Sequence, residues 1–509
     1  MPRVVTSPPE APPFPDGAKP GGWWHESAEA GQVVCDVCPR ACVLKLGKRG
    51  FCFVRENRDG QVVSTTYGRS TGFCVDPIEK KPLNQFYPGT AVLSFGTAGC
   101  NLGCQFCQNW TMSRSRDVDA ACELADPETI ATAARELGCR SVAFTYNDPI
   151  IWTEYAIDTA RACHDQGVKT VAVTSGYIQP VAREAFYREM DAANVDLKAF
   201  TEEFYRDLTG GHLEPVLDTL RWLARETDTW VEITNLIIPR ANDSLDEIEQ
   251  MCRWIVEQMG PDVPVHFSAF HPDFKLMDRP ATPVHTLIAA HEVARRVGLR
   301  YVYTGNVSDR AHQSTYCPGC GRVVIERDGY ALGVYQVREG RCGHCGEPIA
   351  GRYDESPGQW GGRRMPVRIA AYARPKATTP DPHNPVSGEE KEVSIKLFEK
   401  PGNVRGTRRA ISEIFKWMNY VTDNRFITIA ADLAESINVE NAALWGHYDP
   451  VKQPAEFDLD IERAHYWIQR GAKPSETVRS LMKRLKPDRL SDNTATMQSE
   501  KPLEEATLE

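Results

Sequence analysis

No apolar run in the sequence approaches the roughly 18–20 residues needed to cross a bilayer, so no membrane-spanning helix and no membrane partner is expected. The opening residues, MPRVVTSPPEAPPFPDGAKPGG, lack the apolar core of a secretory signal and read as a flexible Pro- and Gly-rich leader. Both absences favour a cytoplasmic location. A basic excess is missing too: 59 Lys and Arg stand against 69 Asp and Glu, a net charge of −10. That argues against nonspecific nucleic-acid binding by the whole chain, which needs a positive footprint, and leaves room only for a local basic patch. Low-complexity repeats are absent. With 41% hydrophobic and 25% charged residues over 509 positions, the chain is not disordered or fibrous and can bury a large core. Its length predicts about two to four domains.

Cysteine, by contrast, is abundant. Of the 16 cysteines, eleven fall into three groups: Cys35, Cys38, Cys42 and Cys52; Cys100, Cys104 and Cys107; Cys317, Cys320, Cys342 and Cys345. In a reducing compartment such clustering reads as metal ligation rather than disulfide bonding. In the last group CPGC and CGHC are separated by 21 residues, the spacing of a zinc ribbon with four closed thiolate ligands. The first group, C-x2-C-x3-C-x9-C, suits zinc or a second iron–sulfur cluster, and zinc is the simpler choice because nothing in the spacing demands iron. Cys74, Cys122, Cys139, Cys163 and Cys252 read as core or helix residues.

Between the outer groups the chain repeats one unit: a short β-rich apolar run, a polar loop, then a helical stretch. The runs are AVLSFGTAG, SVAFTYNDP, TVAVTSGY, NVDLKAF, VEITNLIIP, VPVHFSAFHP and RYVYTGNV. Near-continuous apolar strands alternating with helices predict an α/β fold with a parallel sheet closed into a full or partial βα barrel. Functional groups then belong at the C-terminal ends of the strands. The expected organisation is a disordered leader (1–21), an N-terminal cysteine-rich module (22–87), the barrel (88–310) and a zinc-ribbon-like module (311–355). A linker (356–390), a small α+β domain (391–487) and a disordered tail (488–509) follow.

The sequence GTAGCNLGCQFCQNW puts Cys100, Cys104 and Cys107 in a C-x3-C-x2-C loop just after the first barrel strand. Three thiolates hold three irons of a cubane and leave the fourth iron open, whereas electron-transfer clusters mostly use four cysteines. A zinc site borrowing a distant ligand is the alternative on spacing alone. With Phe106 before the last cysteine, the loop resembles that of the radical S-adenosylmethionine superfamily. Taken with YGRSTGFCVDPIEKKPLNQFYPG, SVAFTYNDP, DAANVDLKAF and YVYTGNV, residues 22–352 resemble the radical enzyme of the AmmeMemoRadiSam system, a relative of glycyl-radical activating enzymes.

The resemblance implies a 4Fe–4S cluster on Cys100, Cys104 and Cys107 that binds S-adenosylmethionine. One electron then splits the cofactor into methionine and a 5′-deoxyadenosyl radical, which abstracts hydrogen from a protein or small-molecule substrate. It also implies a flavodoxin- or ferredoxin-type electron donor and AMMECR-type and Memo-type partners. Superfamily members often hold the cofactor's amino group with a Gly-Gly-Glu loop after the second strand. This chain has Asn147 and Asp148 there instead, which otherwise read as an Asx turn. Thr174, Ser175 and Gly176 follow the third strand as candidates for the cofactor's carboxylate or ribose. Asp196 and Lys198 lie two apart on one strand face and match an Asp-Leu-Lys pattern of the activases, the alternative being a structural ion pair. Asn242, beside Asp243, is a candidate for the adenine side. His271, with Lys198, is a candidate catalytic residue.

The pieces WGHYDP and FDLDIERAHYWIQRGAKPSETVRS resemble bacterial small-subunit ribosomal protein sixteen, which implies a possible role at the small ribosomal subunit and its RNA. Residues 391–487 hold about 16 Lys and Arg against about 13 Asp and Glu, a weak excess for binding phosphate. Three functions follow as expectations: a radical enzyme acting on an unknown protein or small molecule, with a glycyl-radical activase and a structural constituent of the small ribosomal subunit as the two alternatives.

Overall fold

The computed structural model describes residues 3–10, 14, 16–116, 123–372, 446–449 and 456–459. The chain divides into two compact units, Met1–Thr378 and Thr379–Glu509. In the second unit the strands Gly446–Asp449 and Glu456–Leu459 pair antiparallel. The rest of the expected 391–487 domain, the linker from 373, the tail and Cys122 lie outside the described residues.

The first unit is built on one nine-stranded sheet. Its strands are β1 (Phe73–Pro77), β2 (Ala91–Phe95), β3 (Ser141–Phe144), β4 (Lys169–Thr174), β5 (Ala192–Asp196), β6 (Trp230–Ile237), β7 (Val265–Ala269), β8 (Val302–Gly305) and β9 (Met365–Val367). From β2 to β8 they are parallel and lie side by side in chain order. Helices α1 (Pro127–Glu136), α2 (Thr153–Asp165), α3 (Pro180–Tyr187), α4 (Glu214–Glu226), α5 (Leu245–Met259) and α6 (Val284–Val297) make the six crossovers. This is a partial βα barrel, open between β8 and β9.

The helix ends follow from local chemistry. Asp126 caps α1 by accepting from Thr129 N at 2.8 Å, with Pro127 in the first turn. Ser244 caps α5, and α6 ends on Gly298 in a left-handed conformation. Successive strand residues face opposite sides of the sheet. Leu93 and Phe95 of β2 join the large cluster under the helices, where Phe95 packs on Phe144, Trp152 and Tyr155 with ring centroids 5.3–5.6 Å apart. Val92, Ala143, Val171 and Ala192 face the inside, and Ile78, Leu83 and Phe86 fill the space against them. The segment between β1 and β2 therefore plugs the barrel.

Glu232 fixes that plug. Its fully buried carboxylate accepts from Asn84 N at 3.0 Å, Gln85 N at 2.8 Å and Trp230 Nε1 at 3.0 Å, and lies 2.6 Å from His266 Nε2. The ribbon module, with strands Thr315–Tyr316, Val323–Asp328 and Ala331–Tyr335, docks on the same plug through buried Arg327, which donates to Asn84 O at 2.5 Å and Thr315 Oγ1 at 2.7 Å.

Three segments differ from the sequence reading. Within the leader, Val4–Val5 pairs with Trp24–His25 and Lys19–Pro20 with Val63–Ser64. Its prolines do not prevent this, because edge strands tolerate a missing N–H. Residues 73–87 belong to the barrel rather than to the cysteine-rich module, since β1 pairs with β2 along its whole length. Inside the expected linker, β9 adds to the outer edge of β1.

Replacing Glu232 by Gln puts an amide NH2 against backbone N–H groups and leaves a buried donor unpaired. The cost expected is about 1–3 kcal/mol, seen as a lower first midpoint in urea unfolding; an unchanged midpoint contradicts the plug's dependence on this carboxylate.

Candidate active site

The loop that follows β2 carries Cys100, Cys104 and Cys107 at the C-terminal end of the parallel strands. It is held from several sides by backbone bonds: Gly99 N to Met112 O at 3.1 Å, Gly103 N to Thr209 O at 2.6 Å, and Gln105 N to Leu208 O at 2.9 Å. Two glycines are obligatory. A Cβ on Gly96 would stand 2.3 Å from Thr145 O; one on Gly99, whose φ is +89°, would stand 2.1 Å from Cys52 O.

Cys100 and Cys104 lie near enough to Cys107 for a charge there to raise their pKa. Burial, then the neighbouring Asp148 carboxylate, pushes Cys100 up to about 12. Burial pushes Cys104 up to about 11, although the Lys198 ammonium pulls the other way. Iron must displace these protons to bind. The Cys107 Sγ lies 3.2 Å from Ser113 Oγ. Three convergent thiols on a tightly held loop fit a site-differentiated cluster.

Asn147 is committed to that loop. Its Oδ1 accepts from Thr97 N at 3.1 Å and Trp152 Nε1 at 3.3 Å, and its Nδ2 donates to Thr97 Oγ1 at 3.1 Å and Gly99 O at 2.9 Å. Asp148 joins the loops after β3 and β4: it accepts from Ile150 N at 3.1 Å, Thr174 Oγ1 at 2.9 Å, Ser175 N at 3.0 Å and the Ser175 hydroxyl. Burial raises its pKa against these donors. Gly176 closes the turn with φ +66°, its N–H donating to Thr174 Oγ1 at 3.1 Å.

Asp196 and Lys198 form an ion pair at 2.9 Å. Burial works against the Lys198 charge, but Asp196 and the Cys104 thiol beside it outweigh burial and hold the pKa above its usual value. Asn242 is also spent on the backbone: Nδ2 donates to Lys198 O at 2.7 Å and Leu236 O at 2.9 Å, and Oδ1 accepts from Ile238 N at 2.7 Å. His271 is exposed, with Nε2 3.2 Å from the amide of Gln108, which follows Cys107. The structure thus gathers Asn147, Asp148, Thr174 and Ser175 on one side of the cysteine loop and Asp196 and Lys198 beside Cys104. Asn242 reaches this group through the Lys198 backbone, and His271 stands on the rim.

A further cluster had no role assigned from sequence. Fully buried Asp76 accepts from Lys80 and Lys81 at 2.8 Å and from Tyr146 OH at 2.9 Å. Against the effect of burial, the two ammoniums hold its carboxyl well below the usual range, while burial brings Lys81 down to about 8. Tyr146 sits at φ +70° immediately before Asn147. The acid followed by paired lysines in CVDPIEKK was the available signal.

In the ribbon, Cys317, Cys320, Cys342 and Cys345 place their four Sγ atoms within 4.8 Å of one another. Cys317 and Cys345 are 3.5 Å apart, and Cys320 and Cys342 3.8 Å. The backbone N–H groups of Cys320 and His344 point at Cys317 Sγ and Cys342 Sγ, each at 3.4 Å.

Fold and cysteine loop together define a class of radical enzyme. The family profile of the Radical SAM superfamily matches residues 95–255, and the chain belongs to that superfamily of enzymes. Membership implies S-adenosylmethionine and an iron–sulfur cluster as cofactors. An uncharacterized protein of Methanocaldococcus jannaschii is 40% identical over 328 residues, 64% of this chain and 97% of its own length. The pyruvate formate-lyase-activating enzyme of Clostridium pasteurianum is 25% identical over 171 residues, 33% of this chain and 70% of its own. The small ribosomal subunit protein bS16 of Moorella thermoacetica is 56% identical over 39 residues, 8% of this chain and 43% of its own. No helix among the described residues is long and apolar enough to cross a membrane.

Gly99→Ala forces the loop away from Cys52. Bound iron in the anaerobically purified variant is expected to fall several-fold while the secondary structure by circular dichroism is kept; full iron occupancy contradicts the close approach.

Proposed function

We propose that the enzyme holds its 4Fe–4S cluster on Cys100, Cys104 and Cys107 and acts on a protein substrate in the manner of a glycyl-radical activase. The observation that carries this is the C-x3-C-x2-C loop at the C-terminal end of the first parallel strand, fixed there by Asn147. When bound, the cluster and S-adenosylmethionine supply a 5′-deoxyadenosyl radical by one-electron cleavage of the sulfonium. The chain's own residues do the positioning.

Asn147 orients the cysteine loop, with its amide fully used within the protein. Asp148 fixes Thr174 and Ser175, so that the turn at Gly176 lines the cofactor's side of the loop. Lys198, kept charged by Asp196, offers a cation for the cofactor's carboxylate, and Asn242 holds the Lys198 backbone in place. His271 on the rim faces incoming substrate and is the candidate for proton handling there. Buried neighbours such as Phe106 keep water from the reacting centre.

The ribbon cysteines hold zinc. A Zn–S distance of about 2.3 Å in a tetrahedron puts sulfurs about 3.8 Å apart, close to the observed 3.5 and 3.8 Å. The zinc braces a module whose Arg327 locks the barrel plug. An electron donor of flavodoxin or ferredoxin type is required, and AMMECR-type and Memo-type partners follow from the AmmeMemoRadiSam resemblance.

Dithionite-reduced wild type is expected to form 5′-deoxyadenosine from S-adenosylmethionine, and Cys104→Ala to lose it entirely; equal formation by the variant sinks the cluster assignment. A second reading rests on the 56% identity to bS16 over 39 residues: the C-terminal unit tethers the enzyme to the small ribosomal subunit. Co-sedimentation with small subunits is then lost on truncation at about residue 385, and co-sedimentation of the truncated chain contradicts the tether.

A further inference from the structure

The N-terminal cysteines carry a site of their own. Cys35, Cys38, Cys42 and Cys52 line one small cavity together with Arg40, Arg55 and Asn101. Within the same chain the ribbon gives a measure of what one ion demands. Two thiolates on a single zinc can be at most about 4.6 Å apart, twice the Zn–S bond. The ribbon pairs Cys317–Cys345 at 3.5 Å and Cys320–Cys342 at 3.8 Å satisfy that, and among the described residues theirs is the one set of three or more such ligand atoms lying within 4.8 Å of one another. No three of the N-terminal thiols lie within 4.8 Å of one another, and all four line one cavity, as four ligands do when each binds a different iron of a cubane.

A second observation points into the same cavity. Arg55 is 2% exposed; its Nη1 is paired with Glu154 at 2.9 Å and its Nη2 donates to Gly22 O at 2.8 Å. Its Nε, however, is buried with no hydrogen-bond partner. A buried guanidinium donor without an acceptor is costly, and a cluster sulfide or a thiolate of Cys35 or Cys52 supplies the acceptor it lacks.

The cavity also backs on the radical loop. Asn101, which lines it, directly follows Cys100; Arg40 donates to Asn101 O; and Cys52 O touches Gly99. We propose that Cys35, Cys38, Cys42 and Cys52 bind a second 4Fe–4S cluster that passes electrons to the cluster on the Cys100 loop. One electron, taken from a flavodoxin- or ferredoxin-type donor, reduces the second cluster. The same electron moves on to the first and returns the second to its oxidised state, with no atom transferred. The binding half stands by itself, while the relay half rests on the radical reading above.

The test separates the two halves. The triple variant Cys100→Ser, Cys104→Ser, Cys107→Ser, reconstituted anaerobically, is expected to keep about four irons and about one zinc. Its reduced paramagnetic signal should not change on adding S-adenosylmethionine. About one iron, or zinc in place of iron, overturns the second cluster. Should the triple variant not fold, wild type decides: about eight irons support the proposal and about four overturn it. For the relay, Cys38→Ser with Cys42→Ser should lose flavodoxin-driven 5′-deoxyadenosine formation at least about tenfold more than dithionite-driven formation, about 1.4 kcal/mol in rate terms. Equal loss with both reductants overturns the relay. A wild type that holds about eight irons but never cleaves the cofactor rejects the radical reading and leaves the second cluster standing.

Discussion

The amide of Asn147 is the contact on which the rest of the site depends. It satisfies Thr97 on both backbone and hydroxyl, and it reaches Gly99 O one residue before Cys100. A loop bearing three half-buried thiols has little apolar surface with which to hold itself still, so hydrogen bonds to a rigid neighbour must do it. That neighbour is rigid because Asp148, the next residue, is tied to Thr174 and Ser175 at the end of β4. Three strand ends are thereby joined by two adjacent side chains, next to the loop that carries the thiols.

The barrel beneath is filled and braced by elements that come from outside its repeat. The segment after β1 fills the interior, Glu232 caps two of its backbone N–H groups, and Arg327 of the ribbon presses on it from the other side. The N-terminal cysteines meet the radical loop at Gly99 and Asn101. Both flanking modules thus act on the barrel through polar contacts, and the ribbon adds a small core of its own around Val324, Ile325, Val337 and Ile349.

Much of this was legible in the sequence. The seven apolar runs match β2 to β8, because buried parallel strands read as continuous hydrophobic stretches and their helices are bounded by Asp, Pro and Gly. The cysteine spacings located the three groups. Hidden from sequence were β1 and β9, short antiparallel additions without a helix to announce them, and the pairing of the Pro-rich leader. At the site, polar residues at strand ends look alike whether they face a ligand or the backbone. Only the coordinates show that the amides of Asn147 and Asn242 are spent within the protein, and that Tyr146 reaches back to Asp76.

The central claim is that the Cys100 loop leaves one iron open to the cofactor. It is tested most directly by electron–nuclear double resonance on the reduced protein mixed with S-adenosylmethionine labelled with 17O in its carboxylate and 15N in its amino group. Direct ligation predicts hyperfine couplings from both labels, absent in Cys104→Ala. A reduced cluster whose spectrum shows no coupling to either label would contradict the account.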